Sequence, residues 1–140
     1  MVTRRQVIDK AREWVGVRWH HLGRARAGVD CAGLLIVTAR ELGLGYLDDP
    51  VYGTVPDGNR LREKMDECLD RVRYKDRRPG DIALMKWKES PTHLGILTDG
   101  FDPLGMIHAY AVMRKVVETR LDEDWMKKIV SFYSFRGLED

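Results

Sequence analysis

At 140 residues the chain has the length of one average domain, and a single domain spanning 1–140 is expected. Leu, Ile, Val and Phe make up about a quarter of it, which argues against disorder and for a core that needs no disulfide or metal. The balance of 24 basic and 22 acidic residues disfavours nucleic-acid binding, no apolar run is long enough for membrane insertion, and two cysteines without a Cys-x-x-Cys make a poor zinc site.

Thr3 followed by Gln6 spells a capping box, and Val7, Ala11, Trp14 and Val15 recur with helical spacing, predicting an amphipathic first helix that ends at Gly16. Residues 17–29 are rich in Gly, His and Arg and read as a functional loop. Asp30 then caps an apolar run, Cys31-Ala-Gly-Leu-Leu-Ile-Val, that closes at Leu42-Gly43 and predicts a buried central helix. Residues 44–58 form a second loop. Asn59 can cap a third helix whose Leu61, Met65, Cys68 and Leu69 share one face. The basic stretch Arg71 to Arg78 reads as a solvated helix end or a partner-docking surface, before Pro79-Gly80 turns the chain.

Beyond that turn the chain changes character. Ile82–Met85, His93–Thr98, Met106–Tyr110, Lys115–Leu121 and Ile129–Phe135 are short β-branched or aromatic runs, with a longer connection after Asp99-Gly100. Helices first and antiparallel strands afterwards predict an α+β fold with N-terminal helices packed on an antiparallel β-sheet.

Cys31 falls in the first turn of the central helix, where unpaired N–H groups and the helix dipole favour an anion and are expected to lower a thiol pKa. His93 and His108 lie in neighbouring strand-like runs and can stand side by side, one deprotonating a thiol and the other orienting it. His20 and His21 precede the cysteine in the glycine-rich loop; ordinary loop polarity suits His20.

The segment from Gly16 to Leu34, with Val-Asp-Cys-Ala-Gly-Leu at its end, resembles the nucleophile region of NlpC-type cell-wall peptidases. Pro79-Gly80-Asp81-Ile82 resembles that family's turn into its first core strand, His93-Leu-Gly-Ile its catalytic histidine element, and Ile107-His108-Ala109 its third catalytic position. These four landmarks occur in order, and the His-x-x-Gly-Arg spelling is most similar to the phage-tail and gene-transfer-agent branch. The resemblance implies a papain-like cysteine peptidase core, with Cys31 as nucleophile, His93 as base and His108 as its orienter.

The implied substrate is a peptidoglycan stem peptide cut at the γ-D-glutamyl-diamino acid bond, with no metal and no organic cofactor. Asp30, Trp19, His21 and Arg24 are the implied substrate-binding residues, the last two toward stem carboxylates. Trp19 stands where the family usually has tyrosine, and Ala32 where bacterial relatives often have serine. Relatives that trim free stem peptides hold the terminal amine with those two hydroxyls and the Asp, so stems still attached to glycan are the expected substrate here. The N-terminus has no signal-peptide stretch, so no encoded export route is expected. Carriage on a phage-like particle, docked to tail-tip or hub proteins, follows as the expected delivery. The alternatives are a same-fold amidase or acyltransferase, or a structural tail-tip component with a vestigial site.

Overall fold

The computed structural model describes residues 1–45, 58–87 and 91–140. Helix α1 (Arg4–Arg12) starts as expected: the Thr3 side chain accepts from the Gln6 N–H, and Gln6 reaches back to the Thr3 backbone. It stops sooner than expected, with Glu13 as C-cap and residues 13–16 in turns ending at Gly16, φ +94°. The helical period therefore breaks before Val15, which is 43% exposed rather than part of the apolar face.

The loop predicted over 17–29 contains a two-residue hairpin, β1 (Arg24–Ala25) and β2 (Gly28–Val29). At its tip the Arg26 guanidinium lies 3.8 Å over the Trp14 ring and pairs with Glu41, which also accepts from the Trp14 indole N–H. The hairpin is thus fastened to the turn after α1 and to α2 (Cys31–Glu41), whose residues 32–39 are all buried. Helix α3 (Gly58–Cys68) begins one residue before Asn59, which therefore lies inside the helix rather than at its cap. Leu61, Met65, Cys68 and Leu69 are buried together as the spacing required. Of the loop expected over 44–58, residues 46–57 lie outside the described ones.

The basic stretch is no helix end. It forms the edge strand β3 (Asp70–Val72) and a short 3-10 turn at Tyr74–Asp76. Strands β4 (Ile82–Lys86), β5 (Pro91–Thr98), β6 (Gly105–Tyr110), β7 (Lys115–Arg120) and β8 (Ile129–Ser134) follow, with a one-turn helix α4 (Glu123–Met126) that the sequence reading missed. They make one antiparallel sheet in the order β3-β8-β4-β5-β6-β7.

Alternation sorts the strand residues between two cores. Ile82, Leu84, Leu94, Ile96, Ile107 and Ala109 pack against α1, α2 and α3, while Ala83, Met85, Leu97, Met106 and Phe132 form a smaller cluster with Trp125 and Met126 of α4. Asp81, fully buried at the entry to β4, accepts from the Arg4 guanidinium at 3.2 Å and from the Arg78 N–H at 3.1 Å. That ion pair ties the start of α1 to the first core strand.

Candidate active site

Cys31 opens α2, and its neighbour Asp30 organises everything around it. Oδ1 of Asp30 accepts the Gly33 N–H at 2.8 Å, a helix N-cap, and Oδ2 accepts the Leu22 N–H at 2.9 Å. Leu22 sits at φ +59°, a left-handed conformation unfavourable for a branched side chain, which this bond helps to hold. The Arg24 guanidinium lies 3.1 Å from Asp30 Oδ1 and donates to the Gly23 carbonyl at 2.9 Å. The loop crosses the helix so closely that a Cβ at Gly33 would fall 2.2 Å from the Gly23 oxygen. The glycine in Asp-Cys-Ala-Gly is therefore a requirement of backbone approach.

The pairing of β5 with β6 is registered only at Ile96↔Ile107, Leu97↔Met106 and Thr98↔Gly105, although both strands run further. They part at the end that carries the histidines. In this fork the Leu94 backbone N–H bonds the half-buried Cys31 thiol, whose own N–H and that of Ala32 also turn toward the sulfur. His93, the residue before Leu94, has its Nε2 2.8 Å from His108 Nδ1, and His108 Nε2 lies 3.2 Å from Thr119 Oγ1. The two imidazoles are 4% and 0% exposed.

Three aromatic rings enclose the histidine pair. Trp87 lies 4.8 Å from His93 between ring centroids, Trp125 4.9 Å from His108 and Tyr110 5.2 Å from His108. None of these rings, nor Thr119, was singled out from sequence. Tyr110 and Thr119 carry a signal that was available, since each stands on the strand face shared with His108: Tyr110 two residues along β6, Thr119 paired to Met106 on β7. Trp125 hides in a helix too short for periodicity.

Burial sets the charge state. It pushes the Cys31 thiol up to about 12, with the Asp30 carboxylate adding to the rise and the Leu94, Ala32 and Cys31 N–H groups opposing it. This reverses the expectation that the helix start would lower the thiol pKa. The same desolvation drives His93 well below its ordinary range, helped by His108, and lowers His108 to about 4. Near neutral pH the thiol and both imidazoles are thereby held uncharged.

The remaining expected residues lie in the loop that precedes Cys31. Trp19 is half-buried against the larger core, donates its backbone N–H to the Arg114 carbonyl at 2.9 Å, and its ring lies 6.4 Å from that of the exposed His21. Both Asp30 oxygens and the Arg24 guanidinium are engaged within the chain. Among the described residues no group of His, Cys, Asp and Glu is arranged to hold a metal ion, and no helix is long and apolar enough to cross a membrane.

No protein-family model matches the chain. It is 23% identical over 124 residues to the Escherichia coli K12 protein named murein DD-endopeptidase MepS/murein LD-carboxypeptidase, covering 88% of this chain and 58% of that one. The chain thus spans little more than half the length of this curated relative. Among solved structures it is similar to an NlpC/P60 family protein from Bacillus cereus (TM-score 0.74, 17% identity, 95% of this chain and 40% of that one). It is also similar to the NlpC/p60 domain of the peptidoglycan hydrolase SagA (TM-score 0.65, 15% identity, 96% and 100% covered). A third likeness is RipD of Mycobacterium tuberculosis, described as a non-catalytic NlpC/p60 domain protein (TM-score 0.64, 15% identity, 96% and 97% covered). The fold is the papain-like α+β fold of NlpC/P60 domains.

Proposed function

We propose that this chain is a cysteine peptidase that hydrolyses the peptide stems of peptidoglycan. The observation that carries the reading is the fork between β5 and β6, where the cysteine that opens α2 meets Leu94 and the preceding His93 is bonded to His108 at 2.8 Å. His108 occupies Nε2 of His93, which leaves Nδ1 as the base for the thiol. The sulfur attacks the stem carbonyl while its proton passes to His93, which then protonates the leaving amine. The N–H groups at the start of α2 receive the oxyanion, and water hydrolyses the thioester. The names of MepS and SagA support a peptidoglycan substrate.

The bond we assign is γ-D-glutamyl-diamino acid, in stems still attached to glycan. A free stem amine would need a carboxylate partner, and Asp30 is already matched by Arg24 and two N–H groups. His21 is the exposed loop residue we assign to stem carboxylates, while Arg24 meets them only by leaving Asp30. Delivery on a phage-like tail, docked to tail-tip or hub proteins, is part of the same proposal and is tested by mass spectrometry of purified particles.

The RipD precedent raises the competing reading of a vestigial site in a structural component, but Cys31, His93 and His108 are all present here. Purified sacculi incubated with the protein and with its Cys31→Ala form, followed by mass analysis of released muropeptides, decide between them. Cysteine-dependent cleavage within stems is expected; equal release by both forms refutes a cysteine peptidase.

A further inference from the structure

We infer that Thr119 is a positioning residue that holds both site histidines in the tautomers selected at the cysteine end, making the relay four groups long; this rests on the proposed role of His93 as base. Thr119 stands on β7 opposite Met106, and His108 on β6 opposite Val117, so the two lie diagonally on one sheet face. The hydroxyl is 3.2 Å from His108 Nε2, and His108 Nδ1 is 2.8 Å from His93 Nε2.

Two proton arrangements satisfy these bonds. In the first, His93 Nε2–H donates to His108 Nδ1, and His108 Nε2–H donates to Thr119 Oγ1. In the second every donor reverses: Thr119 O–H donates to His108 Nε2, His108 Nδ1–H to His93 Nε2, and His93 Nδ1 carries a proton toward the cysteine. Only the first leaves Nδ1 of His93 bare.

The cysteine side selects between them. Its sulfur already faces the N–H groups of Leu94, Ala32 and Cys31, and burial keeps the thiol protonated. A protonated thiol facing three donors gains from an acceptor for its hydrogen, and a fourth donor from His93 would gain nothing. The first arrangement supplies that acceptor and requires Thr119 to accept from His108. When the thiol proton moves to His93 Nδ1, the Nε2–H to His108 is already in place, and the new imidazolium is held by a neutral imidazole whose far N–H rests on Thr119. No second proton need move.

The test is 15N NMR of the full chain labelled in its histidines, combined with kinetics on stem-peptide substrate. Protonated and bare ring nitrogens are resolved directly. We expect protons on Nε2 of both His93 and His108, and none on either Nδ1. Thr119→Val keeps the side-chain shape but removes the acceptor; it should mix the tautomers and lower kcat roughly tenfold, with KM unchanged. Thr119→Ser should restore both. A proton on His108 Nδ1 in the wild type overturns the inference. So does a Thr119→Val protein whose tautomers and kcat match the wild type. Tautomers as assigned, in a chain that cleaves no stem, uphold the relay and sink the proposed reaction, so the two failures are read apart.

Discussion

Acidification should loosen this fold through its buried histidines. His108 is fully buried and its pKa is lowered to about 4, against an ordinary value of 6.5. Between those two values the unfolded chain holds a proton on this residue that the folded chain does not. Stability is therefore complete above 6.5 and falls as pH drops toward 4. Two and a half units correspond to about 3 kcal/mol, a large share of the roughly 5–15 kcal/mol that holds a domain together. His93 is lowered for the same reason and by His108 itself, so it acts in the same direction. Urea unfolding at neutral pH and near pH 4, on the wild type and on His108→Gln, measures the difference. The variant should lose about 3 kcal/mol less over that range. An NMR titration placing His108 near its ordinary value, or a His108→Gln protein with the wild-type slope, would falsify the reasoning. The same displacement puts the acid limb of any hydrolysis well below the ordinary histidine range.

Three further outcomes follow from the structure. With its pKa near 12, Cys31 should react with iodoacetamide at a rate that keeps climbing through pH 9 and beyond; a plateau near neutral pH would show a resting thiolate and contradict the burial argument. Arg4→Met leaves the Asp81 carboxylate buried without its cation and should destabilise by roughly 3–5 kcal/mol in denaturant unfolding, with part recovered by adding Asp81→Asn; an unchanged midpoint for the single variant refutes this. Gly33→Ala places a methyl 2.2 Å from the Gly23 oxygen, so it should displace the 17–29 loop, visible as amide shifts at Leu22 and Gly23; unmoved amides would show that the approach is looser than described.

The helices and core strands were readable because their signals are local. Thr3 with Gln6, Asp30 before an apolar run, and alternation at Leu94-Gly-Ile announce their elements without knowledge of the rest of the chain. Where the reading failed, the deciding partner is distant in sequence. Val15 fits the period of α1, but the Gly16 N–H is taken by the Val116 carbonyl on β7, a hundred residues on, and the chain has already turned at Glu13. Arg71 and Arg73 look like a solvated helix end, yet β8, some sixty residues away, recruits this stretch as an edge strand. The histidine pair was visible as two positions that adjacent strands could align, whereas the rings around it come from the residue after β4, from β6 and from α4 and share no spacing.

The sign of the thiol shift shows the same division in energetic form. A helix N-terminus stabilises an anion by typically 0.3–1 kcal/mol, and by up to about 2 in sheltered geometry, which amounts to one or one and a half pKa units at most. Moving a thiol from 9 to about 12 corresponds to about 4 kcal/mol in the opposite sense. The dipole is legible from Asp30-Cys31 alone. The desolvation is created by the larger core against which Cys31 packs, assembled from strands and helices far apart in sequence, and it wins. In the peptidase proposed above, a site built this way would keep its proton on sulfur until a carbonyl arrives to accept the developing charge. His93, buried and neutral, would then be the acceptor. Thiolate formation would be part of the attack instead of its precondition, and the chemical step would draw on the α2 N–H groups only when there is an oxyanion for them to hold.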